Sequence, residues 1–176
     1  MTADKIYLVG FMAAGKSTVG KALARRLGWQ AEDVDDLIEQ RERMTVADIF
    51  GRHGEAYFRR AEREMLRLLQ PMRQVVVATG GGTFVDPENR AFINLDGVSV
   101  WLDLPLAELV ARIPLDGRRP LAADRAALEQ LYATRTESYR YSHLRIDSSH
   151  LPVADVVDRI VEGISAMPRL VTRPPA

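Results

Sequence analysis

Cysteine is absent from the 176 residues, and histidine occurs only at His53, His143 and His150. A disulfide framework, a zinc-cysteine site and a thiol nucleophile are thereby excluded, and three scattered histidines make no metal-ligand cluster. Excess charge of either sign is missing too: 24 basic residues balance 24 acidic ones. A mainly electrostatic nucleic-acid binder needs a basic face, so any anion site here must be built from local charge. Only Lys5, Lys16 and Lys21 among the basic residues are lysine. No apolar stretch approaches the roughly 18 residues of a membrane span, and the N-terminus is unlike a signal peptide. The expectation is a cytoplasmic monomer with neither a nucleic-acid nor a membrane partner.

What is present suits one globular domain. Apolar residues at 47% suffice for a core that buries roughly 70% of the unfolded chain's surface. Ile6 to Val9 is a continuous apolar run ending at Gly10, the pattern of a strand buried on both faces. Val19, Leu23 and Leu27 then mark one face of a helix over residues 17 to 27, with Gly28 as its C-terminal cap. Val75 to Ala78 and Val98 to Leu102 read as further buried strands, with less marked ones at Trp29 to Val34 and Leu144 to Ile146. Their alternation with helical patterns predicts an α/β doubly wound parallel sheet. Between the second and third strands lies a helical insertion, in which Thr45 and Asp48 resemble a capping box. Residues 114 to 123, holding Pro114, Gly117, Pro120 and two arginines, read as a mobile loop. Helix returns over Leu128 to Tyr139, and the proline-bearing end from Met167 reads as a frayed tail.

Gly10-Phe11-Met12-Ala13-Ala14-Gly15-Lys16-Ser17 satisfies G-x-x-x-x-G-K-[ST] between an apolar strand and an amphipathic helix, the context the phosphate-loop motif requires. Backbone N–H groups and the helix N-terminus offer a positive concavity to phosphates, Lys16 adds a full charge, and the Ser17 hydroxyl suits magnesium. The loop alone leaves GTPases, ATPases and small-molecule kinases open. Asparagine occurs only at Asn89 and Asn94, so the guanine-reading Asn-Lys-x-Asp motif is missing. Asp33 and Asp35 stand two apart, so extended backbone would point both carboxylates the same way, one for a metal-bound water and one for a substrate hydroxyl. Asp103, after the run Val98 to Leu102, is an alternative acidic residue for a metal. Arg59 and Glu62 are three apart on a helical face, and a guanidinium so held beside Phe50 and Phe58 suits a planar carboxylate. Gly80-Gly81-Gly82 follows a buried strand, where a ligand can approach the backbone closely. Arg118 and Arg119 lie in the loop whose closure would bring charge to a transferring phosphoryl group. Arg135, four residues before Tyr139, offers a second anion clamp.

In order and spacing these pieces resemble the shikimate kinase family over residues 5 to 165. They are Gly10 to Thr18, Asp33-Val34-Asp35 with Ile38-Glu39, Phe58-Arg59, Gly80-Gly81-Gly82, Arg119-Pro120-Leu121, Arg135 and Tyr139. The resemblance implies a P-loop kinase fold in a single domain, residues 1–166. It also implies a substrate-binding insertion near 33–62 and a lid near 112–124, while the proline-bearing end at 167–176, beyond the resemblance, is read as a disordered tail. The implied reaction moves the ATP γ-phosphoryl group to the 3-hydroxyl of shikimate, with Mg2+, on the route to chorismate and aromatic amino acids. Residue by residue, the resemblance gives Lys16, Asp35 and Arg119 catalytic roles and puts Ser17 and Asp33 on the metal. It places the nucleotide against Ala13, Ala14, Gly15, Lys16, Ser17, Thr18, Arg112, Arg119 and Pro152. Shikimate would meet Asp35, Arg59, Gly80, Gly81, Gly82 and Arg135. Two departures are visible: Ala13 stands where the family often has glycine, which matters only at positive φ, and Arg118 beside Arg119 leaves the lid register open by one residue. The rival readings are another small phosphate-loop kinase, such as gluconate kinase, and an ATP-binding module without an acceptor.

Overall fold

The computed structural model describes residues 4–113 and 125–167; the expected lid arginines Arg118 and Arg119 and the tail beyond Met167 lie outside them. Five parallel strands, β1 (Lys5–Val9), β2 (Gln30–Asp33), β3 (Val75–Ala78), β4 (Val98–Asp103) and β5 (Leu144–Asp147), form one sheet in the order β2-β3-β1-β4-β5. The three central strands are apolar and buried nearly throughout, as strands covered on both faces must be. β2 and β5 are edges, and their sequences, QAED and LRID, are accordingly polar and partly exposed.

Helix α1 (Lys16–Leu27) begins at Gly15 and ends at Gly28, whose φ of 69° gives the expected left-handed cap. It packs against β3 and against α7 (Val153–Ala166). The insertion consists of α2 (Val34–Glu42) and α3 (Val46–Leu69), which pack on each other. The Thr45 hydroxyl caps α3 by accepting from Asp48 N at 3.1 Å. Its own proton goes to the Asp48 carboxylate at 2.7 Å, so the return bond to the cap's backbone N–H that defines a full capping box is replaced. Gly54, at φ 77° and ψ 173°, breaks α3 into two segments. Helices α4 (Pro87–Asp96), α5 (Leu106–Arg112) and α6 (Arg125–Tyr139) complete the described set.

Lys5 is fully buried, which a lysine tolerates only when paired. Its ammonium donates to the Leu69 and Gln70 carbonyls, both at 2.8 Å, and to the Asp96 carboxylate at 2.7 Å. The Tyr7 hydroxyl reaches the same Asp96 oxygen at 2.5 Å. Burial, the largest influence, lowers the Lys5 pKa although Asp96 opposes it, and burial followed by Asp96 raises that of Tyr7. The clamp fixes the last turn of α3 to β1 and α4, holding the middle of α3 over the sheet's carboxyl edge.

Candidate active site

The phosphate loop leaves the carboxyl end of the central strand β1, where open α/β sheets bind their ligands. Gly10 has φ 142°, and a β-carbon there would lie 2.8 Å from the Leu102 carbonyl oxygen, so the turn closes on β4 only as glycine. Ala13 (φ 62°) and Gly15 (φ 86°) are both left-handed and curl the loop into a concave backbone suited to anions. The condition under which alanine at position 13 matters is therefore met. The buried Lys16 ammonium donates to the Gly10 and Phe11 carbonyls at 2.9 and 2.7 Å.

Asp33 ends β2, paired with Ala78, and its carboxylate divides its work. Oδ1 caps α2 by accepting from Asp35 N (3.0 Å) and Asp36 N (3.5 Å), while Oδ2 accepts the Ser17 hydroxyl at 2.5 Å. The expected shared direction of Asp33 and Asp35 on extended backbone is thus incorrect: the cap turns the chain into helix at Val34, so Asp35 leaves from the first turn of α2. Burial and the neighbouring Asp33 raise the Asp36 pKa, with Lys21 opposing. Ser17, Lys21, Asp33, Asp36 and Ala78 line a groove of about 150 Å³.

Gly80, Gly81 and Gly82 form a floor on which charged side chains rest directly. A β-carbon on Gly80 would lie 2.8 Å from Asp35 Oδ1 and 2.9 Å from Glu62 Oε1. One on Gly81 would lie 3.0 Å from Arg135 Nη1 and 3.3 Å from the Met12 nitrogen of the phosphate loop. One on Gly82 would fall 2.5 Å from both Nη atoms of Arg59. Helix α3 supplies Arg59 and Glu62 from one face, as their spacing predicts, and they pair at 2.6 Å. Glu62 is wholly buried, and its other oxygen accepts the Thr83 hydroxyl at 2.5 Å. Phe58 lies under the Arg59 guanidinium at 5.7 Å and packs on Phe50 at 4.8 Å between ring centroids.

From α6, Arg135 reaches over the Phe11 ring at 5.6 Å, and the Tyr139 hydroxyl donates to the Gly81 carbonyl at 2.5 Å. Burial is the largest influence on each arginine. It lowers the Arg135 pKa, whereas at Arg59 Glu62 and Glu55 outweigh it and the pKa rises. Both guanidinia remain charged. Among the described residues Arg59 has carboxylate partners and Arg135 has none, leaving half-buried positive charge beside the phosphate loop. Such an arrangement can grip a small anion while its hydroxyls face a carboxylate.

A family model described as shikimate kinase matches residues 12–165. A shikimate kinase of Sulfurihydrogenibium sp. is 39% identical over 160 residues, covering 90% of this chain and 96% of that protein. The chain belongs to the shikimate kinase family. Among solved structures, the shikimate kinase of Acinetobacter baumannii in complex with shikimate superposes with a TM-score of 0.87 at 34% identity, covering 94% of each chain. A deoxyadenosine kinase of M. mycoides with bound dATP, 15% identical with a TM-score of 0.63, covers 92% of this chain and all of its own, and shares the fold alone.

The positions expected from the shikimate kinase resemblance fall in three groups. Ala13 to Thr18, Asp33, Asp35, Arg59, Gly80 to Gly82 and Arg135 gather at the carboxyl edge of β1, β2 and β3. Arg112 and Pro152 lie on separate elements joined through Glu108, which pairs with Arg112 at 3.5 Å and with His150 at 3.3 Å. Arg119 lies outside the described residues. Asp103 is committed elsewhere: its Oδ2 accepts from Arg145 Nε at 2.8 Å and pairs with Nη2 at 2.6 Å, across β4 and β5. Sequence reasoning missed the Thr83 support of Glu62, the Phe11 platform and the Tyr139–Gly81 bond. Each joins residues far apart in the chain, with no local spacing to reveal it.

Proposed function

We propose that the chain transfers the γ-phosphoryl group of ATP to the 3-hydroxyl of shikimate, giving shikimate 3-phosphate and ADP. The supporting observation is the glycine floor: Gly81 abuts the Met12 nitrogen of the phosphate loop and the Arg135 guanidinium, so donor and acceptor positions are contiguous. Arg59 and Arg135 take the acceptor carboxylate, and the Gly80 to Gly82 backbone lies beneath the ring. Asp35 holds the hydroxyls and is the base for the 3-hydroxyl proton. Phosphoryl transfer needs positioning and charge neutralisation more than a covalent nucleophile, and every group named here supplies one of the two. Ala13, Ala14, Gly15, Lys16, Ser17 and Thr18 surround the phosphates. Arg112 and Pro152 flank the adenine, and Arg119, outside the described residues, supplies charge to the phosphates.

Ser17 and Asp33 fit magnesium: a hydroxyl and a carboxylate oxygen are hard donors, set 2.5 Å apart at the mouth of the phosphate loop. Among the described residues no group of three or more His, Cys, Asp or Glu converges to hold a metal unaided, so remaining ligands come from phosphates and water. Bound magnesium supplies charge neutralisation at the phosphates. In this reading the protein works as a monomer in the cytoplasm; no described helix is long and apolar enough to cross a membrane.

The test is ADP release from MgATP with shikimate, with gluconate and without acceptor. Turnover with shikimate only is expected. Turnover with gluconate alone would overturn the acceptor assignments, and ATP binding without turnover on either would favour a binding module.

A further inference from the structure

We infer that Glu55 occupies the edge of Arg59 that the acceptor carboxylate takes, so that acceptor entry exchanges one carboxylate for another; the inference rests on the acceptor site proposed above. A guanidinium offers two forks, its Nε/Nη2 edge and its Nη1/Nη2 end. Glu62 holds Nη1 at 2.6 Å, and it cannot leave, being fully buried with its second oxygen bound to Thr83. Glu55 covers the other edge through a single oxygen, Oε1, at 3.0 Å from Nη2 and 3.2 Å from Nε. Its side chain is 67% exposed, and Oε2 accepts no hydrogen bond among the described residues.

One oxygen shared between two donors is a poorer match than the two parallel bonds of an aligned carboxylate. Glu55 also acts on Arg135, where its charge opposes the effect of burial. It therefore stands in the field of both arginines, as an acceptor carboxylate must. A place to retreat is built in. Glu55 directly follows the break at Gly54, so it opens the second segment of α3, where a carboxylate is favoured by the helix N-terminus.

The sign of one substitution decides. If Glu55 competes with acceptor, Glu55→Gln lowers the KM and Kd for shikimate by about two- to fivefold, the worth of one exposed ion pair. The fall in KM then exceeds any change in kcat, because the exchange precedes chemistry. If Glu55 instead braces Arg59, the same variant raises KM, and the inference is overturned. Calorimetric titration with shikimate and with its uncharged methyl ester separates charge exchange from unblocking. A gain confined to the acid supports the exchange; an equal gain for the ester refutes it. Wild-type protein that binds no shikimate defeats the acceptor site and this inference together, whereas wild-type binding with no change in the variant defeats this inference alone.

Discussion

Replacing Gly82 with alanine puts one carbon where the Arg59 guanidinium lies. The new β-carbon would be 2.5 Å from each Nη and 2.7 Å from Cζ, while ordinary contact starts at 3.4 Å. Gly82 is not among the residues of positive φ, so alanine is unstrained there and the arginine must move by about 0.9 Å. A shift of that size can stretch the 2.6 Å bond to Glu62 to the edge of hydrogen-bonding range and carry the acceptor fork out of register. Losing one charge-assisted contact costs about 1.5–3 kcal/mol, so the shikimate KM should rise roughly 10- to 150-fold. Glu62 keeps Thr83 and stays within Coulomb reach of the displaced cation. Tm should therefore fall by only about 2–4 °C, the equivalent of about 1 kcal/mol at this chain length. Steady-state kinetics at saturating ATP, with a thermal melt of the same sample, measure both. Because the alanine acts by moving Arg59, its effect should not add to that of Arg59→Ala in the double variant. An unchanged KM, or full additivity, would refute the reasoning.

Asp35→Asn should retain ATP affinity in a binding titration while turnover drops about 10²- to 10⁴-fold, the range for a lost proton acceptor; full turnover removes Asp35 from the chemistry. Ala13→Gly should raise Tm by about 1–2 °C: relief of a left-handed alanine, about 1–2 kcal/mol, slightly exceeds the extra chain entropy of glycine, about 0.4–1 kcal/mol. A lower Tm contradicts the observed φ of 62°. His143 accepts the Ser99 N–H on Nδ1 at 3.1 Å, and burial lowers its pKa below 6.5. The unfolded chain thus binds the proton first, and stability is lost as pH falls below about 6.5 toward the folded pKa. Urea midpoints between pH 7 and 5 should show this slope in the wild type and a shallower one in His143→Gln; equal slopes would dismiss the link.

The strands that could be read from the residues were those buried on both faces. Val75–Ala78 is a pure apolar run with the bounds expected of it, whereas Gln30–Asp33 is the sheet's polar edge and carries little pattern. The Asp33–Asp35 geometry failed for a local reason, because Asp33 serves as a helix cap as well as a strand end. Arg59 and Glu62 were legible because their pairing is helical and local. Burial of Glu62 was not, since Thr83 and Gly80 come from another element. Lys5 was noticed only as a scarce residue, its partners standing at Leu69, Gln70 and Asp96. Sequence pattern reports periodicity within an element; the site is made by contacts between elements.

The central place of β1 bears on the order in which the molecule can be made. The phosphate-loop motif is complete by Ser17, yet the strands that flank β1 are Val75–Ala78 and Val98–Asp103, and Gly10 closes on the Leu102 carbonyl. Synthesis runs from the N-terminus, so a nascent chain stopped before Val75 carries the whole motif with no sheet to shape it. Affinity for nucleotide is therefore acquired late on the ribosome, when the fourth strand emerges and gives the first its second neighbour.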